Sequence, residues 1–348
     1  MQGEPQVPIA PLTTLRLGGP ARRLVTVTSA RDLVAAVADA DAQAEPVLVL
    51  AGGSNVVIAD EGFAGTVVLV RTSGVAMLRD GTGAVRLTVQ AGEPWDAVVA
   101  RCVADGLSGI EALSGIPGSV GGTPIQNVGA YGQEVAETIT SVRVYDRVAG
   151  SVVVLSNAEC GFAYRQSALK GNDRYVVLDV SFALTPERHG RALRYAELAS
   201  ALDEEIGGRA LLADVREAVL ALRRRKGMVL DPADRDTFSA GSFFTNPILS
   251  AAEFAAVAGA DGARPPSWPA GAGRVKTSAA WLIERAGFGR GYGHGPVGIS
   301  TKHTLALTNR GGATTADLLA LAREVRDGVR AAFGVELAAE PTLIGTQL

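Results

Sequence analysis

The chain is poor in the residues that build metal and disulfide sites. Its 348 residues include two cysteines, Cys102 and Cys160, and three widely spaced histidines, His189, His294 and His303. Two cysteines cannot form a disulfide framework, and no CxxC spacing offers a zinc site, so no metal centre is expected. Charge of one sign is lacking too: 33 basic and 36 acidic residues leave a formal net charge of −3. Nothing in that balance forecasts binding to a nucleic-acid backbone. The unbroken apolar runs at 33–38, 47–51 and 67–70 are short. They fall far below the ~20 residues needed to span a bilayer. The opening Met-Gln-Gly-Glu-Pro has neither the basic stretch nor the apolar core of a signal peptide. These absences together predict a cytoplasmic protein without membrane insertion.

Hydrophobic residues make up 47% of the chain, enough for a large core, which excludes a disordered or fibrous class. The length predicts two or three domains at roughly 150 residues each. Glycine stands out at 42 residues. Such a number points to loose coil, or to many positions that need positive φ or a close backbone approach to a ligand.

Short β-branched runs alternate with helical stretches in the first half. Residues 24–28, 47–50 and 66–70 read as strands, the last two almost wholly apolar and hence buried. Between the first two, Ser29-Ala-Arg-Asp32 resembles a capping box opening a helix with Leu33, Val34 and Val37 on its apolar face. A second block starts with a strand at 85–90 and a helix with Pro94 near its start and Gly106 past its end. Strands at 139–145, 152–155 and 175–184 suggest a further β-rich layer. From about 205 the pattern changes to helices at 211–225, 278–286 and 315–333. The last carries Leu318, Leu321, Val325, Val329 and Phe333 at threes and fours. Residues 262–273, with three prolines, read as a surface loop. The reading is α+β, with a two-part N-terminal half of about 200 residues and a C-terminal domain of about 140.

Two glycine segments are the most informative. Gly52-Gly53-Ser54-Asn55 follows a predicted buried strand, and a dense run extends from Ser114 to Tyr131. Backbone amides in tight glycine turns form anion nests suited to a pyrophosphate. Ser54, Asn55, Ser119, Gln126 and Asn127 add groups able to bond phosphate, ribose or a heterocycle. The ligand expected is a large phosphate-bearing cofactor. A GxGxxG at 293–298 lacks the preceding buried strand and following helix of a dinucleotide fingerprint and is set aside.

These residues carry a resemblance. The run 115–132 with Gly52–Asn55, Tyr164-Arg165-Gln166-Ser167, Gly241-Ser-Phe-Phe-Thr-Asn-Pro247, Lys276-Thr-Ser-Ala-Ala-Trp-Leu-Ile-Glu284, Lys302-His303 and a terminal Glu340 occur in order from about Thr14 to Gly345. The chain resembles the UDP-N-acetylenolpyruvoylglucosamine reductase (MurB) family, on the vanillyl-alcohol-oxidase type of flavin fold. The resemblance implies two FAD-binding subdomains, 1–70 and 71–204, and a C-terminal α+β substrate-binding domain, 205–348. It implies non-covalent FAD held by Gly52, Gly53, Ser54, Asn55, Gly118, Ser119, Gly121, Gly122, Gln126, Asn127 and Gly129, with NADPH as co-substrate. The partner is a small molecule, a UDP-linked enolpyruvyl amino sugar, and a monomer is favoured. Ser242 is implied as proton donor and Arg165 as the group steadying the enolate, with Glu340 either polarising alongside Arg165 or sharing in proton delivery; Tyr195, Lys226 and Asn246 are implied substrate contacts.

Three departures stand out: Ala51 where a third glycine is frequent, Thr245 where lysine is common, and Ala338-Ala339 before the last acid. From the residues alone, duller readings stay open. Ser242 can be a loop serine, Arg165 a surface arginine, Glu340 an exposed acid and Arg223–Arg225 a solvated helix end. His303 is expected to order a strand end, and the cysteines to be buried small apolar residues. An oxidase on the same flavin fold and a binding module without turnover are the alternative functions.

Overall fold

The computed structural model describes residues 3–79, 83–259 and 263–348. Two compact units emerge: one from the segments Met1–Val7, Ala21–Gly53 and Phe63–Val229, the other from Pro8–Pro20, Ser54–Gly62 and Leu230–Leu348.

The first unit holds a sheet in the order Glu4–Pro8, Pro20–Val27, Phe63–Val70, Val47–Leu50. Its last three strands are parallel. Parallel strands need a crossover connection, supplied between Pro20–Val27 and Val47–Leu50, which flank Phe63–Val70, by α1 (Ala30–Ala42). Ser29 caps that helix by accepting the Asp32 N–H at 3.1 Å, and Leu33, Ala36, Val37 and Ala40 are buried. A second, antiparallel sheet runs Ser151–Ser156, Ile139–Asp146, Tyr175–Pro186, Val85–Gln90, Val75–Arg79. One core joins both sheets, with Val25, Val68 and Val70 of the first and Leu87, Val142 and Phe182 of the second. The helices α2 (Trp95–Ala104), α3 (Ala196–Ala201) and α4 (Leu212–Arg225) complete the unit.

In the second unit lie α5 (Ala251–Gly259), α6 (Ala279–Arg285) and α7 (Thr315–Phe333). A reciprocal capping box of Thr314 and Asp317 opens α7, and Gly334 closes it at φ 68°. Leu318, Leu321, Val325 and Val329 are buried with Leu282, Ile283, Phe243 and Phe244, while Phe333 packs on Trp281 at 5.7 Å. Around this core, among the described residues, lie three small sheets, including a parallel pair, Val56–Ile58 with Thr342–Ile344.

Two expectations are corrected. The boundary between 204 and 205 does not fall there, because α4 packs within the first unit. Val215, Val219 and Leu222 share a small core with Ala112, Leu193 and Leu198, and Arg216 makes a two-pronged bond to Asp96 of α2 at 2.6 and 2.9 Å. Likewise 54–62 leaves the first unit through its pairing with the last strand. The loop expected over 262–273 contains a strand, Ser267–Pro269, antiparallel to Val275–Thr277. It is an edge strand, where proline is tolerated; Gly262 lies outside the described residues. The stretch 293–298 runs into the strand Val297–Ile299 rather than a helix.

Candidate active site

In the first unit the two glycine segments touch. A Cβ on Gly52 would stand 2.5 Å from the Gly118 Cα, so no side chain fits there. Gly53 and Gly118 take positive φ, 58° and 117°. Among the described residues the N–H groups of Gly52, Gly53, Gly118 and Ser119 meet no acceptor. Unpaired amides gathered at one turn contact are the donor set of an anion nest. Gly121 serves packing instead: its N–H bonds the Ala91 oxygen at 2.9 Å, and a Cβ would lie 2.7 Å from the Ala91 Cβ. Gly122 differs from both. A Cβ there would meet nothing within 4 Å, so the space before it is open. Gln126 is half-buried beside them.

Asn127 is buried, at φ 47°, and its carboxamide is used within the protein. Its nitrogen donates to Glu134 at 2.7 Å and to the Ala163 oxygen at 3.0 Å, and its oxygen accepts the Ala136 N–H at 3.2 Å. Asn127 thus braces the turn that carries Gly129.

Arg165 sits in a four-residue turn closed by Ala163 and Gln166, which exchange backbone bonds at 2.9 and 3.1 Å. Its φ is 52°, at the third turn position, where a type II turn ordinarily needs glycine. Such a conformation is retained only where its surroundings hold it. Here Nη2 donates to the Gly129 oxygen at 2.6 Å, Nη1 to Asn127 at 3.4 Å, and the Tyr164 ring lies 5.3 Å below the guanidinium. The charge is thus fixed against the end of the glycine run.

Tyr195 and Lys226 come together in the same unit. Tyr195 caps α3 and meets Tyr131 edge-on at 5.5 Å; Lys226 ends α4 with its Nζ 5.7 Å above the Tyr131 ring. Burial pushes the Tyr131 phenol up to about 12, so it is a neutral donor at physiological pH. Two neighbours were given no role at the site by sequence. Glu197 bonds Lys226 at 2.5 Å. Arg223, expected at a solvated helix end, is buried: four residues beyond Val219, it shares the inward face of α4. Desolvation lowers its pKa to about 10, its Nη2 donates to Met228 at 2.7 Å, and its Nε has no acceptor among the described residues. The spacing from Val219 was the available signal.

In the second unit Ser242 and Glu340 lie on facing segments. Phe244 and Ala339 form an antiparallel bridge, and the Glu340 N–H donates to the Phe243 oxygen at 2.8 Å. Gly241, at φ 75°, turns the chain so that Phe243 and Phe244 are buried while Ser242 stays half-buried. The Glu340 segment is also held by Asn55, whose oxygen accepts from Thr342 at 3.0 Å and whose Nδ2 reaches the Glu340 carbonyl at 3.5 Å. Ser54 precedes it, half-buried. The Asn246 oxygen accepts the Ala279 N–H at 3.0 Å, which sets the start of α6 and leaves its amide nitrogen to other partners. His303 lies between the paired strands Val297–Ile299 and Leu307–Asn309. Burial pushes the two thiols up, to about 12 for Cys102 and about 11 for Cys160, so neither is a nucleophile.

A dinucleotide cofactor fits the first unit on two observations: the unpaired amides at the Gly52–Gly118 contact and the open space before Gly122. The fold and this cradle define a flavin-dependent oxidoreductase, and residues 21–156 match the FAD binding domain model. Residues 231–344 match the model of the UDP-N-acetylenolpyruvoylglucosamine reductase C-terminal domain. Enzymes of that name from Thermobifida fusca and Streptomyces coelicolor are 64% and 59% identical, covering 98% of this chain and 98% and 90% of theirs. The crystal structure of the Thermus caldophilus enzyme (MurB) superposes with a TM-score of 0.67 at 27% identity, over 99% of both chains. The chain belongs to the UDP-N-acetylenolpyruvoylglucosamine reductase family.

Proposed function

We infer that this protein reduces UDP-N-acetylglucosamine enolpyruvate to UDP-N-acetylmuramate with electrons from NADPH, a step in peptidoglycan precursor synthesis. The observation that carries the reading is that the chain holds both an amide-lined glycine cradle and a C-terminal unit in which the Ser242 segment runs against the Glu340 segment. FAD, when bound, supplies hydride chemistry between NADPH and the enolpyruvyl double bond. The N–H groups of Gly52, Gly53, Gly118 and Ser119 would hold its pyrophosphate, and Gly122 leaves room for its approach.

The remaining work belongs to side chains. Reduction at C3 of the enolpyruvyl group builds negative charge at C2 and the carboxylate. Arg165, always charged and held by Gly129, stabilises that charge. Ser242 gives its proton to C2, completing the lactyl ether. A serine is a weak acid, and the buried rings of Phe243 and Phe244 provide the dry setting in which a basic carbon can take its proton. Glu340, one strand away, supports that transfer. Tyr195, Lys226 and Asn246 hold the nucleotide sugar, the first two against its diphosphate. A monomer in the cytoplasm, where NADPH and nucleotide sugars are found, completes the proposal; no helix among the described residues is long and apolar enough to cross a membrane.

The test is an absorbance spectrum of the purified protein before and after NADPH under argon. A flavin band that bleaches supports the reading. Colourless protein, or flavin inert to NADPH, contradicts it.

A further inference from the structure

We propose that Glu197 is a positioning residue for substrate binding, holding Lys226 in place for the diphosphate and tying it to the segment that carries Tyr195. The inference rests on the reading above and adds a residue that the reading does not assign. Lys226 ends α4, and among the described residues its Nζ meets the Glu197 carboxylate at 2.5 Å and the face of the Tyr131 ring at 5.7 Å. Between them they fix a side chain with four rotatable bonds. Glu197 lies in the first turn of α3, two residues after Tyr195, which caps that helix and packs edge-on against the same Tyr131. The ion pair therefore links both proposed diphosphate contacts through one acid.

The pair is also weak enough to share. Both side chains are partly exposed, 31% for Lys226 and 38% for Glu197, and pairs of that kind contribute little to stability. Glu197 is thus poorly explained as a structural fastening. An ammonium group has three donors, so one can stay on Glu197 while the others meet an incoming phosphate oxygen. Pre-placing the lysine removes the entropy loss of ordering a long side chain when the ligand arrives.

The experiment uses the flavin-loaded protein and the enolpyruvyl nucleotide. Glu197→Gln keeps the shape and removes the charge; the expected result is a rise of about tenfold in KM for the nucleotide sugar, the scale of ordering one long side chain. The turnover number is expected to change far less, and flavin content and thermal midpoint to stay at the parent values. Glu197→Asp should recover part of the affinity. In a Lys226→Met background, Glu197→Gln should have no further effect, since nothing is left to position. An unchanged KM, a lowered KM, or an effect that persists without Lys226 overturns the proposal. Failure of the parent itself to turn over the nucleotide sugar would instead sink the functional reading on which it rests.

Discussion

Single residues of the site divide into groups that do chemistry and groups that bind. Ser242→Ala should retain FAD and accept electrons from NADPH, then stall, because hydride added at C3 is useful only if C2 receives a proton. Positioned proton transfer is worth ~10²–10⁴-fold. Stopped-flow absorbance should place a loss of that size in flavin reoxidation by the enolpyruvyl nucleotide, and Ser242→Cys should restore part of it. Reoxidation within about tenfold of the parent would pass the proton to Glu340. Arg165→Lys keeps a charge but loses the planar fork that meets the Gly129 oxygen at 2.6 Å. It should lower turnover more than affinity, whereas Tyr195→Phe should act chiefly through KM. Indistinguishable kinetic profiles for those two variants would remove the distinction drawn between them.

At the scale of elements, the glycine turns and helix ends carry separable tests. Gly52→Ala drives a methyl into the Gly118 backbone, 2.5 Å away, and should cost about 1–3 kcal/mol by chemical denaturation. A Cβ at Gly122 would meet no protein atom within 4 Å, so the fold of Gly122→Val should survive while bound flavin is lost; normal flavin content would refute the cradle. On the antiparallel sheet, the Arg174 guanidinium holds the Asp146 carboxyl down, to about 2. A pKa depressed by folding gives stability that is present above the ordinary carboxylate range and is lost as pH falls through 2. Asp146→Asn should therefore flatten the acid limb of a thermal-midpoint profile between about pH 4 and 2; an unchanged limb contradicts the assignment. Local signals made several of these elements readable: the Ser29–Asp32 cap, the apolar run Val47–Leu50, and the stripe of α7 all express a period or a cap within a dozen residues. Arg165 at φ 52° and the bracing role of Asn127 were not readable, since each depends on partners some 36 residues away.

For the whole molecule, the fold class and the family were legible because ordered motifs span the chain, while the division into units was not. α4 joins the first unit through Arg216 and Asp96, 120 residues apart, and residues 54–62 join the second through a strand near the C-terminus. Composition and periodicity hold no record of such pairings. The same long-range closure brings the segments that carry Ser242 and Glu340 together, since Phe244 and Ala339 form a bridge. Flavin-mediated reduction of the nucleotide sugar is tested most directly by an anaerobic two-step titration of the purified protein. NADPH should bleach the flavin band, and the enolpyruvyl nucleotide should then restore it without oxygen, with a product two hydrogens heavier. Colour that returns only on admitting oxygen, with the nucleotide unchanged, would contradict the account and point to an oxidase.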